Sequence, residues 1–217
     1  MKREQYARAA LGFGVAMALL AGTAHTAAAA RGCRTWSVAD LGTLPGGTFS
    51  WANGIDAAGR AFGSAQDAEG RRAVRWDLDN RVTRLQAPGT VESGVNSVSA
   101  NGTAAGWLLE GRVHRAARWG VRGQLTELPP PPGDTYGYAA GVNNSGAVAG
   151  VTGTTDTSRA VRWDERGRPT VLDTPPDSLA SWAHDLNDDG VVVGEIAMAD
   201  GSARGVRWDS AGRMTAL

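Results

Sequence analysis

Gly141-Val142-Asn143-Asn144-Ser145-Gly146-Ala147-Val148-Ala149-Gly150 sets a polar Asn-Asn-Ser-Gly segment between two short apolar runs, and Arg162-Trp163 follows twelve residues later. Asx residues and glycine accept the left-handed backbone that tight hairpins demand, so the stretch reads as strand, turn, strand. Its glycines recur along the chain as Gly59, Gly102, Gly146 and Gly190, and again as Gly63, Gly106, Gly150 and Gly194. The tryptophans Trp76, Trp119, Trp163 and Trp208 recur in register at intervals of 43, 44 and 45 residues, each preceded by an arginine. Leu85, Leu128, Leu172 and Leu217 form a fourth ladder. A period of this size marks a solenoid or a propeller.

Each unit resolves into four short strands. Strand a ends near Ile55, Val98, Val142 or Leu186 and is followed by the polar turn; strand b runs through the second glycine; strand c carries the Arg-Trp pair. A second turn, such as Asp164-Glu165-Arg166-Gly167, leads to strand d, which ends at the ladder leucine. No segment sustains the 3.6-residue period of a helix. The expected fold is all-β, a propeller-like array of four-stranded antiparallel blades, with repeats at about 49–92, 93–135, 136–179 and 180–217. Residues 31–48 read as an N-terminal strand and linker, since Trp36 to Leu41 has the pattern of a strand d with no a, b and c before it.

Residues 1–30 read as a secretory signal. Lys2, Arg3 and Arg8 open it, an apolar stretch runs from about Leu11 to Ala21, and the small residues Ala27 to Ala30 place cleavage after Ala30. The apolar stretch is shorter than the roughly twenty residues of a membrane span. The chain is therefore expected to be secreted or at the cell surface, with no membrane span once processed. Cys33 is the only cysteine, which excludes an intramolecular disulfide and a cysteine-rich zinc site. Beyond residue 30 the chain carries 19 positive and 21 negative charges, which gives no reason to expect nucleic acid as a partner.

The unit resembles the HAF repeat, a family of extracellular repeat proteins. The matching segments are Asp40-Leu41-Gly42-Thr43-Leu44, Gly54-Ile55-Asp56-Ala57-Ala58-Gly59, Gly141 to Gly150 and the four Arg-Trp pairs. Where the family's His-Ala-Phe segment falls, this chain reads Arg72-Ala73-Val74, Arg115-Ala116-Ala117, Arg159-Ala160-Val161 and Arg204-Gly205-Val206. The resemblance implies export and a repeat architecture, and it brings no catalytic residues with it.

Several sequence patterns bear on chemistry. Asp185-Leu186-Asn187-Asp188-Asp189-Gly190 matches the first half of a calcium loop, but position 12, where a bidentate Glu belongs, is Ile196. The segment is also the fourth copy of the repeat's own turn. No nucleophile motif, metal-protease motif or phosphate loop occurs, and the two histidines beyond residue 30, His114 and His184, occupy non-equivalent positions. No catalytic residue, metal or cofactor is therefore expected. The ladder residues Trp76, Trp119, Trp163 and Trp208, with Gly59, Gly102, Gly146 and Gly190, are expected to be structural, because a residue needed once per unit is a packing residue.

Recognition is expected where copies differ. The d-to-a connections carry Trp51, Tyr138 and Trp182 at equivalent positions, with Gly94 in the remaining copy, and Tyr136 and His184 lie beside them. Aromatic rings clustered on one rim either close the top of the blade core or offer stacking and apolar contact to a sugar or peptide. The expectation is a non-enzymatic binding or scaffold module for a carbohydrate, a cell-wall component or an extracellular protein. An exported hydrolase or lyase on the same scaffold, and a self-associating structural protein, are the alternatives. The oligomeric state is left open.

Overall fold

Each sequence unit becomes one antiparallel meander in the computed structural model, which describes residues 37–216. Blade 1 comprises β1 (Ser50–Ile55), β2 (Ala61–Asp67), β3 (Gly70–Trp76) and β4 (Val82–Arg84). Blade 2 comprises β5 (Glu92–Val98), β6 (Ala104–Glu110), β7 (Val113–Trp119) and β8 (Leu125–Leu128). Blade 3 comprises β9 (Tyr136–Val142), β10 (Val148–Gly153), β11 (Ser158–Trp163) and β12 (Pro169–Val171), and blade 4 comprises β13 (Ser178–Leu186), β14 (Val192–Met198), β15 (Ala203–Trp208) and β16 (Met214–Ala216). Within every sheet the strands lie in chain order. The signal-peptide reading, Cys33 and the ladder leucine Leu217 fall outside the described residues.

The two glycine ladders have different physical causes. Gly59, Gly102, Gly146 and Gly190 close the a-to-b turns with φ between 76° and 90°, a region that disfavours a β-carbon. Gly63, Gly106, Gly150 and Gly194 permit close approach instead. Each faces an irregularity in strand a, and a β-carbon on it would land on the carbonyl of Trp51, Gly94, Tyr138 or Trp182. The extra residue of each bulge is Asn53, Asn96, Ala140 or His184. In the c-to-d turns, Asn80 takes with φ 59° the place that Gly123, Gly167 and Gly212 hold elsewhere.

The blades stack through one repeated core. The ladder tryptophans Trp76, Trp119, Trp163 and Trp208 are fully buried on the rear face of strand c. Three of them donate an indole hydrogen bond to the carbonyl just past the ladder leucine of the preceding blade: Trp119 to Gln86 at 2.6 Å, Trp163 to Pro129 at 2.7 Å and Trp208 to Asp173 at 2.6 Å. Around Trp163 and Trp208, small residues on the preceding blade's front face let the sheets approach. Ala105 and Ala116 of blade 2 pack with Val148, Val161 and Trp163 of blade 3, and Ala149 and Ala160 of blade 3 pack with Val192, Val206 and Trp208 of blade 4. The first strands touch in succession, β1 to β5 to β9 to β13, and so line the inside of the array.

Of the expected strand before blade 1, Trp36 lies outside the described residues and residues 37–41 carry no strand; among the described residues the first strand begins at Ser50. A strand d needs a strand c beside it to satisfy its backbone groups, and the segment has none. Leu41 and Leu44 instead pack on Val74 and Trp76, in the place of a preceding blade's ladder leucine. The substitution is incomplete. Gly42, the residue past Leu41, accepts from the Ser50 hydroxyl at 2.8 Å, and the Trp76 indole nitrogen has no hydrogen-bond partner among the described residues. The substantial contacts between sheets join consecutive blades, and none joins blade 4 back to blade 1.

Trp163→Phe removes both packing and a made hydrogen bond, whereas Trp76→Phe removes packing and an unsatisfied donor. The first variant should be the more destabilised, by about 1 kcal/mol, the net value of one such bond. Urea denaturation of both variants beside the parent chain measures the difference; equal losses would show that the two indoles are equally bonded.

Candidate functional site

The d-to-a connections and the b-to-c hairpins emerge at one end of the blades, and there a cavity of about 590 Å³ opens between blades 2 and 3. Its floor is aromatic. The imidazole of His114, on β7, stacks on Tyr138 of β9 with ring centroids 4.5 Å apart and planes 28° apart. Tyr136 stands edge-on to Tyr138 at 6.3 Å. Alternate residues of a strand point to one face, so Tyr136 and Tyr138 are presented together by β9.

The adjoining wall is rich in hydroxyls. Thr154, Thr155 and Thr157 come from the b-to-c connection of blade 3 and Ser158 from the start of β11, and Arg112 and Asp156 add one charge of each sign. The Tyr136 hydroxyl lies 2.8 Å from the Ser158 hydroxyl and donates to the Thr157 carbonyl at 3.3 Å, tying floor to wall. The approach to Tyr136 is braced from behind. Asp134 accepts from Arg159 at 2.5 Å and from Thr152 at 2.6 Å, and the Thr135 amide donates to the Gly153 carbonyl at 2.7 Å.

Burial favours the neutral forms of His114 and Tyr138. Burial lowers the His114 pKa below its ordinary value, against the pull of the Glu92 carboxylate, and burial, helped by Tyr136, raises that of Tyr138. His114, Asp156 and Ser158 all border the cavity, yet no hydrogen bond joins them. Ser158 is bonded to Tyr136, and the Asp156 amide donates to Thr154. The arrangement offers stacking surface and hydroxyl partners, not an activated nucleophile with its base.

Of the residues singled out from sequence, Tyr136 and Tyr138 line this cavity together. Trp51 lies on blade 1, where Phe49 packs on it at 4.6 Å and the Arg71 guanidinium covers it at 4.9 Å. Trp182 is half-buried on β13 opposite Glu195, and His184 is an exposed bulge residue whose Nε2 is 3.7 Å from Glu195. Neither borders the cavity, to which blade 4 contributes Ala180.

Sequence reasoning missed His114 and Trp107. A β-carbon at Gly94 would sit 2.8 Å from the Trp107 ring, so this indole, from strand b, occupies the space that the missing aromatic of blade 2 leaves. Trp107 contacts His114 edge-on at 5.4 Å, and Arg71 bridges from Trp51 to Trp107 at 5.5 Å. A row of rings and one guanidinium thus crosses blades 1 to 3. The available signal was the glycine itself: a gap in an aromatic ladder beside a nearby unladdered tryptophan.

The calcium-like turn is engaged by protein. The Asp188 carboxylate accepts from the Asn144 amide at 2.9 Å and from its side chain at 2.8 Å, which lowers the Asp188 pKa. Ile196 is buried in the core between blades 3 and 4. The strand c arginines join blades: Arg118 donates to the Gly146 carbonyl, and Arg162 to that of Gly190 at 3.2 Å.

No protein-family model and no curated protein matches the chain. Among solved structures, TolB from Acinetobacter baumannii superposes with a TM-score of 0.54 at 12% identity, over 73% of this chain and 40% of its own. Puromycin hydrolase superposes with a TM-score of 0.51 at 17% identity, over 75% of this chain and 27% of its own. Both are β-propeller proteins, and the likeness establishes a propeller-like fold. The chain spans less than half the length of either.

The lowered His114 pKa has a stability consequence. The unfolded chain takes up a proton near pH 6.5, while the folded imidazole resists until a lower pH. Stability should therefore fall as pH drops below 6.5 and level off once the folded imidazole also protonates. Thermal melts between pH 7.5 and 5 should show this loss in the parent chain and a smaller one in His114→Gln; equal losses would contradict it.

Proposed function

We propose that the chain is an exported, non-enzymatic binding module of the HAF-repeat type, and that the cavity between blades 2 and 3 takes a carbohydrate. The supporting observation is the pairing of the His114, Tyr138 and Tyr136 rings with the hydroxyls of Thr154, Thr155, Thr157 and Ser158. A sugar has an apolar face edged by hydroxyls, and its recognition calls for an uncharged stacking surface beside donors and acceptors. A cavity of about 590 Å³ lies within the usual range for small-molecule sites, roughly 300–1,000 Å³. Export rests on the basic, apolar and small-residue succession of residues 1–30.

Expressed from Met1 in a secreting host, the chain should be recovered outside the cytoplasm beginning at Arg31, and should bind members of an oligosaccharide array without consuming them. Tyr138→Ala should lower the affinity at least about tenfold, as loss of one stacking ring implies. Trp182→Ala, outside the cavity, should leave it unchanged. Retained cytoplasmic protein would remove the export reading, equal effects of the two variants would remove the site, and release of shortened oligosaccharides would replace binding with hydrolysis.

A further inference from the structure

The cavity between blades 2 and 3 is one part of a longer row. His114 and Ser158, which line it, each stand five residues before the ladder tryptophan on strand c of their blade, and Arg71 holds that place in blade 1. The strand pairing agrees, since Arg71, His114 and Ser158 face the equivalent strand-b residues Gln66, Leu109 and Gly153. Arg71 shares a face of β3 with Ala73, which packs on blade 2. Its guanidinium carbon lies 4.9 Å from the Trp51 ring and 5.5 Å from the Trp107 ring, so an indole from each blade flanks it in the seam. From Trp107 the row continues to His114 at 5.4 Å and on to Tyr138 at 4.5 Å, into the cavity floor.

Flanking rings fix the plane of a guanidinium and strip water from its faces, while its edge keeps the paired N–H fork that fits a carboxylate. The Arg71 edge is available for that role. Among the described residues its Nε is buried without a partner, and its terminal nitrogens are neither buried nor bonded. The nearby acids are placed elsewhere: Arg72 holds Asp67 at 2.9 Å and Glu69 at 3.1 Å, and the Glu92 carboxylate lies beside Gly70. Trp51, 47% exposed, leaves this stretch of the rim open to solvent. We propose that Arg71 takes a carboxylate of an acidic oligosaccharide, a chain containing uronic acid, of which another sugar stacks on Tyr138 in the cavity. The inference rests on the carbohydrate reading of that cavity and adds charge and length to it. One sugar ring fills a place in one seam, whereas contact with both Arg71 and Tyr138 calls for a chain that runs across blade 2.

Calorimetric titration of the purified chain, expressed from Met1, tests the proposal with two probes: oligogalacturonides of increasing length, and the same oligomers with every carboxylate capped as a methyl ester. The acids should bind at least about tenfold more tightly than the esters, with the gap narrowing as salt is raised. Arg71→Gln should abolish the preference and leave ester affinity unchanged, which shows the fold and the cavity intact. Arg112→Gln should keep the preference, and Tyr138→Ala should weaken acids and esters alike. Equal binding of acids and esters, a preference that survives Arg71→Gln, or one lost only in Arg112→Gln would overturn the proposal while the cavity reading stands. Binding of neutral oligosaccharides but of neither probe would do the same. A chain that binds no oligosaccharide at all, or acids that Tyr138→Ala leaves fully bound, would overturn the cavity reading and the proposal with it.

Discussion

The structure depends on a single contact made between neighbouring blades: the buried tryptophan of strand c, capped by the strand-d leucine of the blade before it and bonded to the carbonyl that follows. It joins the two forces that hold a repeat protein together, apolar burial and a directed hydrogen bond, in one residue. Because the indole points backward and the alanine face points forward, the contact has a direction. Blades 2 to 4 each need the blade before them to complete their own core. An isolated blade would leave a tryptophan in water and a backbone carbonyl without its partner, so cooperativity between neighbours follows directly.

Around that contact the rest of the repeat is accommodation. Alanine at 105, 116, 149 and 160 keeps the front faces thin enough for an indole to lie against them. Glycine at 63, 106, 150 and 194 lets strand b pass under a bulge in strand a, and in blades 1 and 2 the bulge turns Asn53 and Asn96 toward the next blade. The hairpin turns at the far end then bond across blades, Asn101 to Asn144 and Asn144 to Asp188, giving a polar seam on the side opposite the cavity. With stacking secured at the tryptophans and at this seam, the d-to-a connections are free to differ. Blade 3 uses that freedom to raise Tyr136 and Tyr138 on a braced approach.

What repeats was legible in the sequence, and what occurs once was not. The four strand-a ends at Ile55, Val98, Val142 and Leu186 coincide with those expected, because a turn that recurs with the same Asx and glycine chemistry leaves little freedom. The ladder tryptophans are buried as the period implied. Trp107 and His114 belong to no ladder, and only the packing against Gly94 and Tyr138 shows that they take part in the rim. Trp182 was grouped with Tyr138 by position alone; position in a repeat places a residue on its own blade, whereas a site between blades depends on which neighbour faces it. The segment at Leu41 misled in the opposite way. Its pattern is that of strand d, and its leucines do pack as one would, but a ladder of backbone bonds needs a partner strand that the pattern cannot supply.

The central claim is that Trp119, Trp163 and Trp208 are each bonded to the preceding blade, while the Trp76 indole has no such bond among the described residues. The most direct measurement is the indole region of a ¹H–¹⁵N NMR spectrum, assigned by single Trp→Phe variants, with the temperature dependence of each indole proton. Trp119, Trp163 and Trp208 should show downfield, temperature-insensitive indole protons characteristic of a strong hydrogen bond, and Trp76 should not. Four equivalent bonded signals would contradict the unpaired Trp76 indole, and four unbonded signals would contradict the stacking contact itself.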